Sequence, residues 1–177
     1  MRSNYTVEEI EDFVQDFKKY RHVKETIGLA QNKGFLKALA SVAQRKDYPF
    51  PEYSTWYLSK VAEAKSYPLH SIQKELLDLY LNHENPGLQR NVLKSLSFCP
   101  LTAHKKGEFL DKLFQDLSSP EVKVAVKVHA LENLQKFIPE YPELLQEIKH
   151  IMEMQRQGFT PSIRARYKAF CKKNKLT

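Results

Sequence analysis

Residues 85–98 read NPGLQRNVLKSLSF, and the reading of this stretch decides the fold. Asn85 followed by Pro86 is a helix opening. Asn offers a side-chain acceptor to the first free N–H groups, and Pro, with fixed φ and no N–H, suits the first helical position. Spaced at about 100° per residue, Leu88, Val92, Leu93, Leu96 and Cys99 share one arc. Arg90, Lys94 and Ser97 share the opposite arc, with Asn91 at its edge. The stretch is an amphipathic helix with one apolar stripe and one polar face.

The stripe recurs. Aligned on their prolines, PEYSTWYLSKVAEA from Pro51 and PGLQRNVLKSLSFC from Pro86 match Leu58 to Leu93 and Val61 to Leu96, 35 residues apart. PEVKVAVKVHALENLQKFI from Pro120 puts Leu131 and Leu134 in those places 38 residues further on, with a helix expected to begin one turn early. Each stretch precedes a second helical segment, from Pro68, Lys105 and Pro142. There Ile72, Phe109 and Leu144 correspond, as do Leu76, Leu113 and Ile148, and Tyr80, Leu117 and Met152, at spacings of 37 and then 35. Each set lies at i, i+4, i+8, one face of a helix. Punctuation agrees: Ser119-Pro120-Glu121 and Thr160-Pro161 read as capped starts, Gly158 as a helix end, and Pro139 as a stop.

Helix pairs at a fixed period cannot bury their own apolar faces and must stack on neighbours. Upstream, Thr6 and Glu9 form a capping box before EEIEDFVQDF, and KGFLKALASVAQR is a further helix. Residues 20–35 read as one helix or two. In the last segment, PSIRARYKAFCKKNK, Ile163, Tyr167, Phe170 and Cys171 share one face and charges occupy the rest. The expected architecture is all-α: a right-handed α-α superhelix, or α-solenoid, of about seven to nine helices. It forms one domain over 1–177, with N-terminal helices in 1–46, three pairs in 51–159 and a basic capping helix in 160–177.

The paired helices and their spacing resemble the HEAT and armadillo-like repeats over about 51–175. Small HEAT-like proteins of this kind include many with no assigned activity. They also include DNA glycosylases that remove alkylated purines using helical repeats alone. The resemblance to those glycosylases is one of architecture. They place a catalytic Asp one turn after a groove Trp, whereas the residue one turn after Trp56 is Lys60.

Composition narrows the functional classes. Five glycines in 177 residues argue against Gly-rich phosphate loops and a turn-dense β fold. No apolar run approaches the roughly 18 residues of a membrane span. The N-terminus turns acidic before any apolar signal core, which points to the cytoplasm. Cys99 and Cys171 lie in apolar helical patterns and are expected to be reduced, packed thiols. The net charge of +7 is uneven: six basic residues and no acids stand in 164–177, which leaves 22 basic against 21 acidic residues in 1–163. A protein that tracks a phosphate backbone usually spreads its cations along one surface.

Candidate binding residues follow from position. Arg90, Asn91 and Lys94 read either as a solvated face or as an anion grip, since cations one turn apart can hold one group. Lys127 falls within a broad apolar arc of Val122, Val124, Val126, Val128, Ala130, Leu131, Leu134, Phe137 and Ile138. With Lys123, it must snorkel, find a carboxylate, or line a groove with Lys94 or Arg90. Trp56 reads as packing against the N-terminal helices or as a stacking or peptide-anchoring platform. Arg164, Arg166, Lys168, Lys172, Lys173 and Lys175 read as a solubilising cap or as a contact for nucleic acid or an acidic partner.

The six histidines form no H-x-x-x-H pattern, and Asp78 and Asp116 stand in no motif. No zinc spacing, P-loop, dinucleotide fingerprint or nucleophile elbow occurs, so no catalytic residue, metal or cofactor is implied. The expectation is a non-enzymatic scaffold that binds a protein or peptide. A nucleic-acid binder related to the helical-repeat glycosylases is the alternative, and an enzyme of unrecognised type ranks last.

Overall fold

The structure is a computed structural model that describes residues 5–16, 23–64 and 67–176, with Val23 and Tyr67 as backbone. The described residues form ten α-helices and no strand: α1 Val7–Gln15, α2 Val23–Leu29, α3 Lys33–Val42, α4 Phe50–Ala64, α5 Gln73–Asn82, α6 Pro86–Ser97, α7 Lys106–Ser118, α8 Val124–Leu134, α9 Leu144–Met154 and α10 Pro161–Lys173. Short 3-10 segments, Tyr67–Ile72 and Arg156–Gly158, precede α5 and follow α9. Ten exceeds the expected seven to nine. Part of the excess is α2, which ends before Asn32, whose side chain accepts from Phe35 N at 3.2 Å and starts α3 afresh. Residues 17–22 of the ambiguous N-terminal stretch lie outside the described residues.

The helices group into two compact units, Met1–His104 and Lys105–Thr177. In the first, α4 lies along α6 and also packs on α1, α2 and α3, while α5 packs on α6. Tyr57, Leu58 and Val61 of α4 are buried with Leu88, Val92, Leu93 and Leu96 of α6. Full burial of each such side chain stabilises by roughly 1.5–3 kcal/mol before entropy is charged against it. Phe13 of α1 closes the N-terminal side, with ring centroids 5.8 Å from Phe35 and 5.0 Å from Tyr57.

In the second unit α8 packs on both α7 and α10. The repeat triples behave as their spacing requires. Ile72, Leu76, Tyr80, Phe109, Leu113, Leu117, Ile148 and Met152 are all buried, and Leu144 is half-buried. On α10 Ile163, Tyr167 and Phe170 are buried and Cys171 is half-buried. The ends of α8 and α10 are tied by an amide pair: Gln135 Nε2 donates to Asn174 Oδ1 at 3.1 Å, and Asn174 Nδ2 donates to Gln135 Oε1 at 2.9 Å.

The starts show which signals prevail. Thr6 and Glu9 form the full reciprocal box, at 3.2 and 3.0 Å. Asn85 Oδ1 accepts from Leu88 N at 2.9 Å, ahead of Pro86. Ser119-Pro120 does not open α8: Ser119 is the C-terminal cap of α7, and α8 begins at Val124 after a turn. A proline following a helix end is as natural as one at a helix start, and here the first role holds. Pro161 does open α10, but the Thr160 hydroxyl pairs with the Ser162 hydroxyl at 3.1 Å and caps no backbone N–H.

Candidate functional site

In the first unit, most of the polar face on α6 is tied to α4. Asn91 is buried, 3% exposed, and does not belong to an open face. Its Nδ2 donates to Glu52 O at 3.1 Å and to Thr55 Oγ1 at 3.3 Å. At the edge of the polar arc, it meets the neighbouring helix and serves as a cross-link. Arg90 folds onto the same residue, donating through Nε and Nη2 to Asn91 Oδ1 at 3.3 and 3.2 Å. Lys94 pairs with Glu63, which also accepts from Lys60 Nζ at 2.8 Å. Those hydrogen bonds, first from Lys60 and then from Lys94, hold the Glu63 carboxyl below the usual range. Trp56 is half-buried, with its ring 5.3 Å from that of Tyr57, and Lys60 Nζ lies 5.5 Å from the indole centroid.

Two cavities open in the second unit. The first, of about 360 Å³, is lined by Leu117, Pro120, Val122, Val124, Met152, Met154, Gln155, Gly158, Phe159, Ile163 and Lys127. Its walls are mostly apolar and come from α7, α8, α9, α10 and the turns beside them. Lys127 is the charge in it, 9% exposed. Its ammonium donates to Gln155 Oε1 at 2.7 Å, and Gln155 Nε2 is in turn fixed on Leu117 O at 2.9 Å. No carboxylate pairs with Lys127 among the described residues. Burial alone pushes the ammonium below the ordinary lysine range, because a cation loses hydration that a neutral amide replaces only in part. Lys123 caps the start of α8 without a side-chain hydrogen bond and is exposed.

The second cavity, of about 550 Å³, is a groove with Lys149, Arg156, Arg164 and Lys168 around Phe159, Tyr167 and Glu153. Arg164 Nη2 donates to Phe159 O at 3.1 Å and Arg156 Nη1 to Glu153 Oε2 at 3.0 Å. The buried Tyr167 hydroxyl donates to Glu153 Oε1 at 2.9 Å. Burial and that carboxylate hold the phenol well above its usual range. Arg166 leaves the groove to pair with Glu132 at 2.6 Å, while Lys172 and Lys173 stand exposed on the last turn of α10. Of the basic tail, the fold places Arg164 and Lys168 in the groove. Lys149 and Arg156 join them from α9 and the turn after it, where no local charge run marks them. Gln155, neutral and unremarkable in sequence, is the Lys127 partner.

A family model for the HEAT repeat domain matches residues 15–174. The chain belongs to the HEAT repeat family. Its all-α fold of stacked helix pairs is the α-solenoid class of that family. No curated protein and no solved structure matches the chain significantly. HEAT repeat proteins are helical scaffolds, typically for interaction with other proteins. Among the described residues, no helix is long and apolar enough to cross a membrane, and no group of three or more His, Cys, Asp or Glu is placed to hold a metal ion. His104 Nε2 pairs with Asp78 at 3.1 Å, and Asp116 is buried against Lys112.

Proposed function

We propose that this HEAT repeat protein is a non-enzymatic binding module that takes a protein or peptide partner. The observation that carries the reading is the Lys127 cavity. Mostly apolar walls with a placed polar pair, Lys127 and Gln155, are what a docked side chain needs. Helical repeat arrays use such surfaces for extended partners. In the first unit, Asn91 and Lys94 are engaged in internal contacts, which supports the same reading. The module is taken as cytoplasmic, a reading that its two cysteines, neither in a disulfide, suit.

The second reading is a nucleic-acid binder. It is favoured by one observation: Lys149, Arg156, Arg164 and Lys168 line a single groove. Glu153 in that groove opposes a phosphate, as does its pairing with Arg156.

The test is a peptide-display selection on the purified protein beside a titration with labelled duplex and single-stranded DNA at low and physiological salt. Peptides with an apolar anchor should enrich, and DNA binding should vanish at physiological salt, because phosphate contacts are lost by counterion competition. DNA affinity that persists there and weakens in Arg164→Glu, with no peptide enriched, would overturn the first reading in favour of the second.

A further inference from the structure

The Lys127 cavity has a chemistry of its own. Lysine has three N–H donors, and the structure uses one, on Gln155 Oε1. The partner is neutral, so among the described residues the buried charge is uncompensated. Val124, at the first position of α8, also lines the cavity. That helix starts without a side-chain cap, so its positive end adds to the field there. The rest of the lining is aliphatic, thioether or aromatic.

An occupant must therefore bring one negative charge on an apolar body. A phosphate dianion would leave excess charge in an apolar cavity facing one ammonium. A carboxylate matches that charge and turns a charge–neutral hydrogen bond into a charge-assisted pair. A chain terminus ending in an apolar residue joins both features within one residue. An internal Asp or Glu brings the charge without the apolar body. The volume, near the small end of ligand cavities, suits a terminal residue rather than a folded surface.

Resting on the peptide-binding reading above, we infer that the cavity among α7, α8, α9 and α10 binds the C-terminal carboxylate of a partner chain whose last residue is apolar. Lys127 holds the carboxylate, and Val122, Val124, Met152, Met154 and Phe159 hold the side chain. Gln155 is a positioning residue that fixes the ammonium at the cavity.

The experiment uses the full chain and a fluorescein-labelled peptide, Gly-Ser-Gly-Leu, as the free acid and as the C-terminal amide. Anisotropy gives affinity, and NMR of the lysine Cε resonances follows the Lys127 titration. The free acid should bind at least about tenfold tighter than the amide and should raise the Lys127 pKa, which the amide leaves alone. In Lys127→Met and in Lys127→Gln, checked for fold by circular dichroism, the preference for the acid should vanish, and in Lys94→Met it should remain. Equal binding of acid and amide, or an acid preference that survives loss of Lys127, overturns the assignment. So does decanoate that raises the Lys127 pKa where the peptide acid does not. Display-selected peptides that bind regardless of the Lys127 substitutions would overturn this assignment and leave the peptide-binding module standing. The absence of any peptide binder would end both.

Discussion

The ammonium of Lys127 rests on the amide oxygen of Gln155 at 2.7 Å and on no carboxylate among the described residues. Folding takes this cation out of water, so the folded state binds its proton less tightly than the unfolded chain, whose lysine value is 10.5. Stability contributed by this site therefore rises with pH between the folded value and 10.5, because the unfolded state holds more protons in that window. Lys127→Met removes the buried charge at the expense of its hydrogen bond to Gln155 Oε1; with desolvation of the charge the larger effect, it is expected to stabilise the fold by about 1 kcal/mol near neutral pH and to flatten this alkaline slope. Urea unfolding of both proteins at about pH 8 and about pH 10 checks the sign; a variant less stable than the parent at both would contradict it.

Asn91 provides a stability prediction of the opposite sign. Its amide satisfies Glu52 O and Thr55 Oγ1 across the α4–α6 contact. Asn91→Leu removes two hydrogen bonds across the contact, a net cost of about 1–3 kcal/mol, while Glu52 O keeps the Thr55 hydroxyl at 3.2 Å. For a chain of this length that is about 2–4 °C in Tm per kcal/mol. Thermal unfolding followed by circular dichroism should show the loss, and binding at the Lys127 cavity should not change.

The same residue shows where the sequence stops being legible. The stripe of Leu88, Val92, Leu93 and Leu96 could be read, because a 3.6-residue period needs only one helix. Asn91 sits at the edge of the polar arc, and whether an edge is wet depends on how closely the next helix approaches. The Lys127 cavity is a stronger case. Lys127 stood out for its apolar surroundings, but Gln155, Met152 and Phe159 come from other segments, and no local pattern joins them. Arg164 and Lys168 could be found as cations one turn apart. Lys149 and Arg156 reach their groove only through the packing of α9 and α10. The Pro120 start failed for a local reason: cap-plus-proline marks a helix end as well as a beginning.

Gly87 sets two effects against each other. It is the second residue of α6, where Ala is favoured over Gly by about 1 kcal/mol of helix propensity. A Cβ there would meet Glu52 Cγ at 2.9 Å and Asn85 Oδ1 at 3.1 Å. Glu52 cannot simply swing away, since its Oε1 accepts from Asn85 Nδ2 at 2.6 Å, and Asn85 Oδ1 is the helix cap. The clash should prevail, and Gly87→Ala should destabilise by about 1 kcal/mol, the usual size of a lost cap. A gain in Tm would show that Glu52 yields more freely than its hydrogen bond implies.

Glu63 governs what the α4–α6 face offers to an anion. Lys60 and Lys94 hold its carboxyl below the usual range, so its ion pairs contribute stability above the unfolded glutamate value of about 4.3 and lose it as pH falls through the lower folded value. The side chain is 36% exposed, so solvent screening limits the contribution to about 1 kcal/mol or less. Glu63→Gln should therefore cost little in Tm while releasing Lys94 and Lys60, the latter beside Trp56. Duplex DNA at low salt is the sensitive probe. The variant should bind it more tightly than the parent, and the difference should disappear at physiological salt, where a half-buried pair of cations at the surface is screened. Unchanged low-salt affinity would mean that DNA does not approach this face even when its charge is unmasked.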